Sequence, residues 1–130
     1  MKDIGRLQDI KDRNDRDNIM EMMRCFVSAV DPLKVILFGS FASGNYTDES
    51  DFDFYLVIDD GRNVLDATDL AYNSVLFVKK RPVDIVVGTA SRFEVWSRAT
   101  NTLMIEREVW LKGILLYERT ECDTEYSSQK

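Results

Sequence analysis

Histidine is absent from this chain of 130 residues, and only two cysteines and two prolines are present. Without an imidazole, neither a Ser-His-Asp or Cys-His nucleophile nor a histidine zinc site can be built. Cys25 and Cys122 are too few for a disulfide framework or a thiolate metal cage, and so small a number is typical of a reducing compartment. Any enzyme chemistry must therefore rest on carboxylates, and any metal is expected to be a hard cation such as Mg²⁺ or Mn²⁺.

Long apolar runs and an excess of positive charge are missing as well. No stretch approaches the roughly 20 apolar residues of a membrane span, and residues 1–6 lack the apolar core of a signal peptide. We therefore expect a cytoplasmic protein without membrane attachment. The formal net charge of −6 argues against general nucleic-acid binding through a basic surface. A hydrophobic content of 45% at this length predicts one globular domain.

The apolar pattern predicts an α/β (α+β) domain with four strands and four helices besides a weak N-terminal helix. Short continuous apolar runs such as Val35-Ile36-Leu37-Phe38 indicate buried strands, whereas apolar residues at helical spacing indicate helices packed on the sheet. Helices are expected at 17–30, 63–79, 91–99 and 103–112, and strands at 35–38, 52–58, 83–87 and 114–117. We expect residues 1–118 to form one domain and residues 119–130 to be a disordered polar tail.

Chain order brings three carboxylates to one edge of this sheet. The first strand ends at Gly39-Ser40 and the second begins after Asp51, so the two ends coincide if these strands pair antiparallel. The helix after the second strand is a crossover that starts the third strand parallel to the second, which brings Asp84 to the same edge. Asp51 and Asp53 are two residues apart and share one face of their strand.

Such a set of residues predicts metal-assisted chemistry on a phosphate ester. Converging carboxylates repel each other unless a cation lies between them, and side chains two apart on one strand face are separated by roughly 6–7 Å, enough to hold two metal ions. The Gly39-Ser40 turn offers backbone N–H groups and a hydroxyl to phosphate oxygens. A divalent metal and a phosphate cradle together indicate attack on a nucleoside triphosphate.

Other motifs fit less well. Gly39 and Gly44 have the glycine spacing of a P-loop, but Asn45 stands where its lysine belongs. The glycine and the closing glutamate of an EF-hand are missing after Asp51. A plain solvated acidic turn around Asp51 and Asp53 would not explain why Gly39-Ser40 and Asp84 are placed at the same edge.

The pattern resembles a known family. Gly39-Ser40, ten intervening residues and Asp51-Phe52-Asp53 are similar to the signature of the minimal nucleotidyltransferases in the DNA polymerase β superfamily, and the segment containing Asp84 is similar to the family's third-carboxylate strand. The resemblance runs from the first strand to Glu118. It departs at Ser43, where family members often carry an arginine, and at the bulky aromatic residues around the acidic pair.

The resemblance implies a polymerase β-like nucleotidyltransferase fold, a short, mixed, twisted sheet flanked by helices. It implies that Asp51 and Asp53 bind two Mg²⁺ ions, for which Mn²⁺ can substitute, and that Asp84 binds the catalytic one. Asp84 would also accept the proton of the attacking hydroxyl, either directly or through the metal. Gly39 and Ser40 would hold the β- and γ-phosphates of the substrate, ATP.

The expected reaction is transfer of a nucleoside monophosphate, AMP from ATP, to a hydroxyl acceptor on a partner protein such as a HEPN-type toxin. The alternative is a non-catalytic, antitoxin-like module that neutralises its partner by binding alone, although binding alone would not require the carboxylate set. Modification of a small molecule such as an antibiotic is a weaker option, because those enzymes usually carry a further helical domain. Homo-oligomer formation is left open.

Two further groups have a structural and a functional interpretation. Lys79-Lys80-Arg81 is expected to complement the dipole at a helix C-terminus rather than to bind phosphate. The aromatic residues near the acidic pair are expected to pack in the core, with a docking surface as the other possibility; they are Phe41, Phe52, Phe54 and Tyr55.

Overall fold

The computed structural model describes residues 1–100 and 103–120. After a short 3-10 helix at Ile4–Asp9, the elements in chain order are α1 (Arg13–Val30), β1 (Lys34–Phe38), α2 (Ser40–Ser43), β2 (Phe52–Ile58), α3 (Val64–Val75), β3 (Val83–Thr89), α4 (Ala90–Arg98), α5 (Ile105–Lys112) and β4 (Ile114–Glu118). Within these ranges no helix combines the length and the apolar character that crossing a bilayer requires. The α/β fold class is confirmed.

The strands form one mixed sheet in the order β3-β2-β1-β4. β1 pairs antiparallel with β2, and β2 pairs parallel with β3, as the sequence predicts. The register sets Asp53 opposite Phe38 on one side and beside Asp84 on the other. The end of β1 and the starts of β2 and β3 therefore meet at one edge of the sheet.

Helices cover both faces of the sheet. Alternate residues of β2 point to opposite sides: Phe54 packs in the larger apolar cluster with residues of α1 and α3, and Tyr55 packs with Phe93 of α4 and Val109 of α5. β2 is buried on both faces, which explains why its sequence is a nearly continuous apolar run. Asp53 is in phase with Tyr55 and therefore lies on the α4–α5 face.

The aromatic residues near the acidic pair belong to the core. Phe41, Phe52, Phe54 and Tyr55 are all buried, and Phe41 packs against Phe52 with ring centroids 4.8 Å apart. The expectation of core packing is confirmed for all four residues. They do not form a docking surface.

Helix α3 packs with a different face from the one its sequence suggests. Leu65, Tyr72 and Leu76 have helical spacing, but they are exposed, Leu65 by 75%. The buried residues are the smaller Ala67, Ala71 and Val75. Small side chains permit close approach to α1, whose large apolar residues fill the space between the two helices.

The helix boundaries also differ from the predicted ones. α1 begins at Arg13 rather than Asp17, because Asp12 accepts a hydrogen bond from the backbone N–H of Asn14 and caps a polar first turn that carries no apolar signal. α3 ends at Val75 rather than Lys79. The prediction that Lys79-Lys80-Arg81 complements a helix dipole is therefore wrong.

Hydrogen bonds of Arg119 fix the C-terminal end of the domain. Arg119, which the prediction assigned to the tail, donates hydrogen bonds to the Asp59 carboxylate and the Asp31 backbone oxygen, and its own backbone N–H donates to the Leu33 oxygen. The rest of the predicted tail, residues 121–130 including Cys122, lies outside the described residues.

Candidate active site

The sheet edge brings Asp53 and Asp84 together. Their backbones are register partners in β2 and β3, and the Asp84 carboxyl group is close enough to that of Asp53 to raise its pKa. Asp84 is exposed, while Asp51 and Asp53 are partly buried, so this edge is open to solvent on one side. Asp51 stands at the end of the loop before β2 and acts on Asp53 through its charge.

The environment of Asp53 disfavours its ionised form. Partial burial raises the pKa of Asp53 to about 6, and the negative charges of Asp84, Asp51 and Glu108 raise it in the same direction. Glu108 is exposed on α5, and the sequence interpretation gave it no role at the site. In the sequence, only its place on α5, the helix that covers this face of the sheet, connects Glu108 with the site. The site is therefore a focus of negative potential.

The donor chemistry fits a hard divalent cation. Within residues 1–100 and 103–120, no three acidic or cysteine side chains form a group close enough to hold a metal ion together. Asp53 and Asp84 are paired across β2 and β3, and the charge of Asp51 also acts on Asp53. A cation between carboxylates removes the repulsion that raises the Asp53 pKa, and oxygen ligands are those that Mg²⁺ prefers.

Gly39 is the residue that lets Asp53 approach the end of β1. A Cβ atom on Gly39 would lie 2.2 Å from Oδ2 of Asp53 and 2.9 Å from its carboxyl carbon. The φ of Gly39 is +74° with ψ at −152°, a conformation that is essentially restricted to glycine. The occurrence of a glycine at position 39 together with the acidic motif thus has a steric cause. The Asp53 carboxylate occupies the space that a side chain at position 39 would need.

The turn after Gly39 is the short helix α2, which begins at Ser40. The Ser40 backbone oxygen accepts hydrogen bonds from the N–H groups of Gly44 and Asn45, at 2.9 and 3.0 Å, and these bonds close the turn. Ser43, where the family resemblance leads one to expect arginine, donates its hydroxyl to the Gly39 backbone oxygen at 2.8 Å. Ser40 thus lies next to the Gly39–Asp53 contact.

A buried polar network fastens α5 over the same face of the sheet. The Tyr55 hydroxyl donates to Oε2 of Glu106 at 2.6 Å, and Nε of Arg92 donates to the same oxygen at 3.0 Å. Glu106 is 1% exposed, and its Oε1 has no hydrogen-bond partner among residues 1–100 and 103–120. Gly88 makes room for this contact, because a Cβ there would lie 2.0 Å from the Tyr55 hydroxyl. Local sequence patterns could not predict this network, since it joins β2, α4 and α5.

Solved structures share this fold. A protein described as a nucleotidyltransferase from Sulfolobus solfataricus is 23% identical, with 79% of each chain covered and a TM-score of 0.54. A toxin–antitoxin structure with AMP-PNP is 18% identical, covering 87% of this chain and 81% of its own, with a TM-score of 0.52. A mutant of the toxin–antitoxin MntA–HpeT is 19% identical, covering 87% and 80%, with a TM-score of 0.50. At these identities the likeness establishes the fold alone.

Sequence comparison identifies the family directly. No curated protein matches the chain significantly. The family profile described as "Nucleotidyltransferase domain" matches residues 19–109, well over half of the chain, from α1 to the last turns of α5. That range includes Gly39, Ser40 and all three aspartates of the sheet edge. The chain therefore belongs to the nucleotidyltransferase domain family.

Proposed function

We propose that the protein transfers AMP from ATP to a hydroxyl group of a partner protein, with release of pyrophosphate. The observation that carries the proposal is the pairing of Asp53 with Asp84 in adjacent strands beside Gly39, at an open sheet edge. Membership of the nucleotidyltransferase family supports the reaction class. The choice of AMP rests on the resemblance to minimal nucleotidyltransferases and on the AMP-PNP present in one structure of the same fold.

Asp51, Asp53 and Asp84 would hold two Mg²⁺ ions, for which Mn²⁺ can substitute. Asp51 and Asp53 would bind both ions, and Asp84 would bind the catalytic one. When bound, the ions would neutralise the charge of the triphosphate and stabilise the charge that develops at the α-phosphorus. The raised pKa of Asp53 supports this assignment, because burial and like-charge repulsion both disfavour the ionised form and a bound cation would favour it.

The chain's own groups would orient the triphosphate and accept a proton. Gly39 and Ser40 would hold the β- and γ-phosphates at the end of β1. The acceptor oxygen forms a bond to the α-phosphorus while the bond from the α-phosphorus to the bridging oxygen breaks, and pyrophosphate leaves. The proton of the acceptor hydroxyl would pass to a carboxylate oxygen of Asp84, which is the exposed member of the pair.

The acceptor we propose is a tyrosine, serine or threonine hydroxyl of a HEPN-type toxin. The solvent-open edge at Asp84 suits a residue presented by another protein better than a small molecule that needs an enclosing pocket. Two structures of the same fold come from toxin–antitoxin pairs, which supports a protein partner of this kind.

Intact-mass spectrometry of the co-expressed partner tests the proposal. We expect a mass increase equal to one AMP in the presence of the unaltered chain and no increase with Asp84→Asn. Asp69→Asn, which changes an exposed aspartate of α3, is the control and should leave the modification intact. A partner that is modified equally by the Asp84→Asn variant would contradict the role of the carboxylate pair.

The second candidate function is neutralisation of the partner by complex formation alone. Its supporting observation is the same pair of toxin–antitoxin structures, since an antitoxin can act by binding. A stable complex without any mass change, together with full neutralisation by Asp84→Asn, would favour this function over nucleotidyl transfer.

A further inference from the structure

Arg81 is joined to the loop that leads into Asp51. Its Nη1 lies within hydrogen-bonding distance of three backbone oxygens of that loop, at 3.1, 2.9 and 3.1 Å; these belong to Thr47, Asp48 and Ser50. The nitrogen carries two protons, so they are shared among three oxygens that the loop turns inward. A loop whose carbonyl groups converge in this way depends on the positive charge of the Arg81 guanidinium group at their centre.

A second set of contacts fixes the guanidinium itself. Asp15 of α1 accepts hydrogen bonds from Nε at 2.9 Å and from Nη2 at 3.1 Å, so the pair is bidentate. The Arg81 side chain is 16% exposed and that of Asp15 is 11% exposed, which separates this pair from ordinary surface ion pairs. The guanidinium carbon also lies 5.0 Å from the ring centre of Phe41 and 5.9 Å from that of Phe52.

These contacts surround the candidate active site without entering it. Ser50 directly precedes Asp51, Phe41 directly follows Ser40, and Arg81 itself stands three residues before Asp84. One guanidinium therefore touches the segments that carry the first acidic residue and the phosphate turn. Its own chain segment carries the third acidic residue.

We infer that Arg81, oriented by Asp15, is a positioning residue that sets the loop before Asp51 for metal and triphosphate binding. The functional part of this inference rests on the proposed nucleotidyl transfer. Lysine cannot replace arginine here, because one ammonium group cannot bind a carboxylate through two parallel hydrogen bonds and reach the loop oxygens at the same time. Neither residue contacts the reacting atoms in this account.

The chain offers a matched control in Arg119. This arginine is also mostly buried, with a side chain 20% exposed, and it pairs with two carboxylates, those of Asp31 and Asp59, where Arg81 pairs with one. Asp59 follows the end of β2 that is opposite to Asp53, so Arg119 is at the far end of the sheet. Loss of either arginine removes ion pairs to carboxylates, those of Arg119 being the more exposed, but of the two arginines only Arg81 contacts the loop before Asp51.

The first test is hydrogen exchange of the loop, which does not depend on any reaction. The N–H groups of Thr47, Glu49 and Ser50 are hydrogen-bonded within the loop. In Arg81→Gln and Arg81→Lys we expect exchange of the peptide covering residues 45–51 to be faster by about tenfold, the effect of losing one hydrogen bond to a charged group. Asp15→Asn should give a smaller increase and serves as the variant if the Arg81 variants do not fold. Arg119→Gln should leave this peptide unchanged.

The second test is calorimetric titration with Mn²⁺ and a non-hydrolysable ATP analogue. We expect affinity about 10- to 100-fold weaker for Arg81→Gln and Arg81→Lys, the usual cost of losing a group that orients metal ligands. Arg119→Gln should bind as the unaltered chain does, even if it is equally destabilised towards urea.

The two tests separate failure of this inference from failure of the proposed function. Loop exchange in Arg81→Lys or Asp15→Asn equal to that of the unaltered chain would overturn the positioning role. Equal loss of metal affinity in Arg81→Gln and Arg119→Gln would also overturn it, because general destabilisation would then explain both. An unaltered chain that binds no metal and nucleotide would overturn the proposed function, while the exchange result would still decide whether Arg81 holds the loop.

Discussion

Replacing Gly39 with alanine tests how closely the Asp53 carboxylate approaches the end of β1. The new Cβ would lie 2.2 Å from Oδ2 of Asp53, 2.9 Å from its Cγ and 3.2 Å from its Cβ. Asp53 lies on β2 between two hydrogen-bonded neighbours, so its side chain has to rotate away from β1 and its present contact with Asp84 must change. The substitution should therefore disturb stability and the arrangement of the carboxyl pair together.

Two costs add in this variant. A residue with a side chain at a φ of +74° and a ψ of −152° is strained by about 1–3 kcal/mol. Relief of the overlap with Asp53 costs about 1–3 kcal/mol more, as in other overpacked sites. We expect the free energy of unfolding to fall by about 2–6 kcal/mol in Gly39→Ala.

Gly44→Ala is the matched control, because it separates the two costs. Gly44 has a φ of +86°, but a Cβ there would meet no atom of the described part of the chain within 4 Å. Only the conformational cost remains, about 1–2 kcal/mol. Urea unfolding would compare the variants, and Mn²⁺ titration of the folded proteins should show weaker binding in Gly39→Ala alone. Equal destabilisation by the two substitutions, with equal metal affinity, would refute the close packing of Asp53 on Gly39.

Three other substitutions have defined outcomes. The pKa of Asp53 in the folded state is about 6, above its ordinary value of 3.8, so the folded state binds a proton more tightly and stability without metal falls as pH rises from about 4 to 6. Asp53→Asn should remove this decline and be about 1–2 kcal/mol more stable at pH 7.5, after allowance for solvent screening. An unchanged decline of stability in urea unfolding of this variant across that pH range would contradict the prediction. Ser40→Ala should weaken binding of a triphosphate analogue by about 1–2 kcal/mol in calorimetry, and unaltered affinity would remove Ser40 from the phosphate site. Tyr55→Phe removes the hydroxyl that donates to buried Glu106 and should lower the free energy of unfolding by about 2–3 kcal/mol in urea. Its control, Tyr72→Phe on the partly exposed face of α3, should lower it by less than about 1.5 kcal/mol. Equal losses would argue against the buried network.

The topology of the sheet could be predicted because its strands carry local signals. β1 and β2 are short apolar runs bounded by glycine and polar residues, and the crossover through α3 allows one common arrangement for β3. Those signals are enough to bring Asp53, Asp84 and Gly39 to one edge. The position of the Asp51 carboxyl group relative to the other two was not predictable, since it depends on the path of a loop.

The orientation of α3 and the roles of Arg81 and Glu106 could not be predicted from local pattern. Periodicity on α3 favours its large residues as the core face, but packing against α1 buries the small ones instead. Arg81 acquires its role from partners far away in sequence, Asp15 and the loop before Asp51. Buried polar contacts of this kind depend on three-dimensional neighbours that no spacing rule records.

The most direct test of the central claim is calorimetric binding of Mn²⁺ with a non-hydrolysable ATP analogue to the unaltered chain and to Asp51→Asn/Asp53→Asn. We expect binding by the unaltered chain and a marked loss in the double variant, since carboxylates would be the hard-cation ligands of this site. The same double variant should be at least as stable as the unaltered chain without metal, because like-charge repulsion at the sheet edge is reduced. Unchanged binding in a folded double variant would contradict the proposal that these aspartates form a metal-dependent nucleotidyl transfer site.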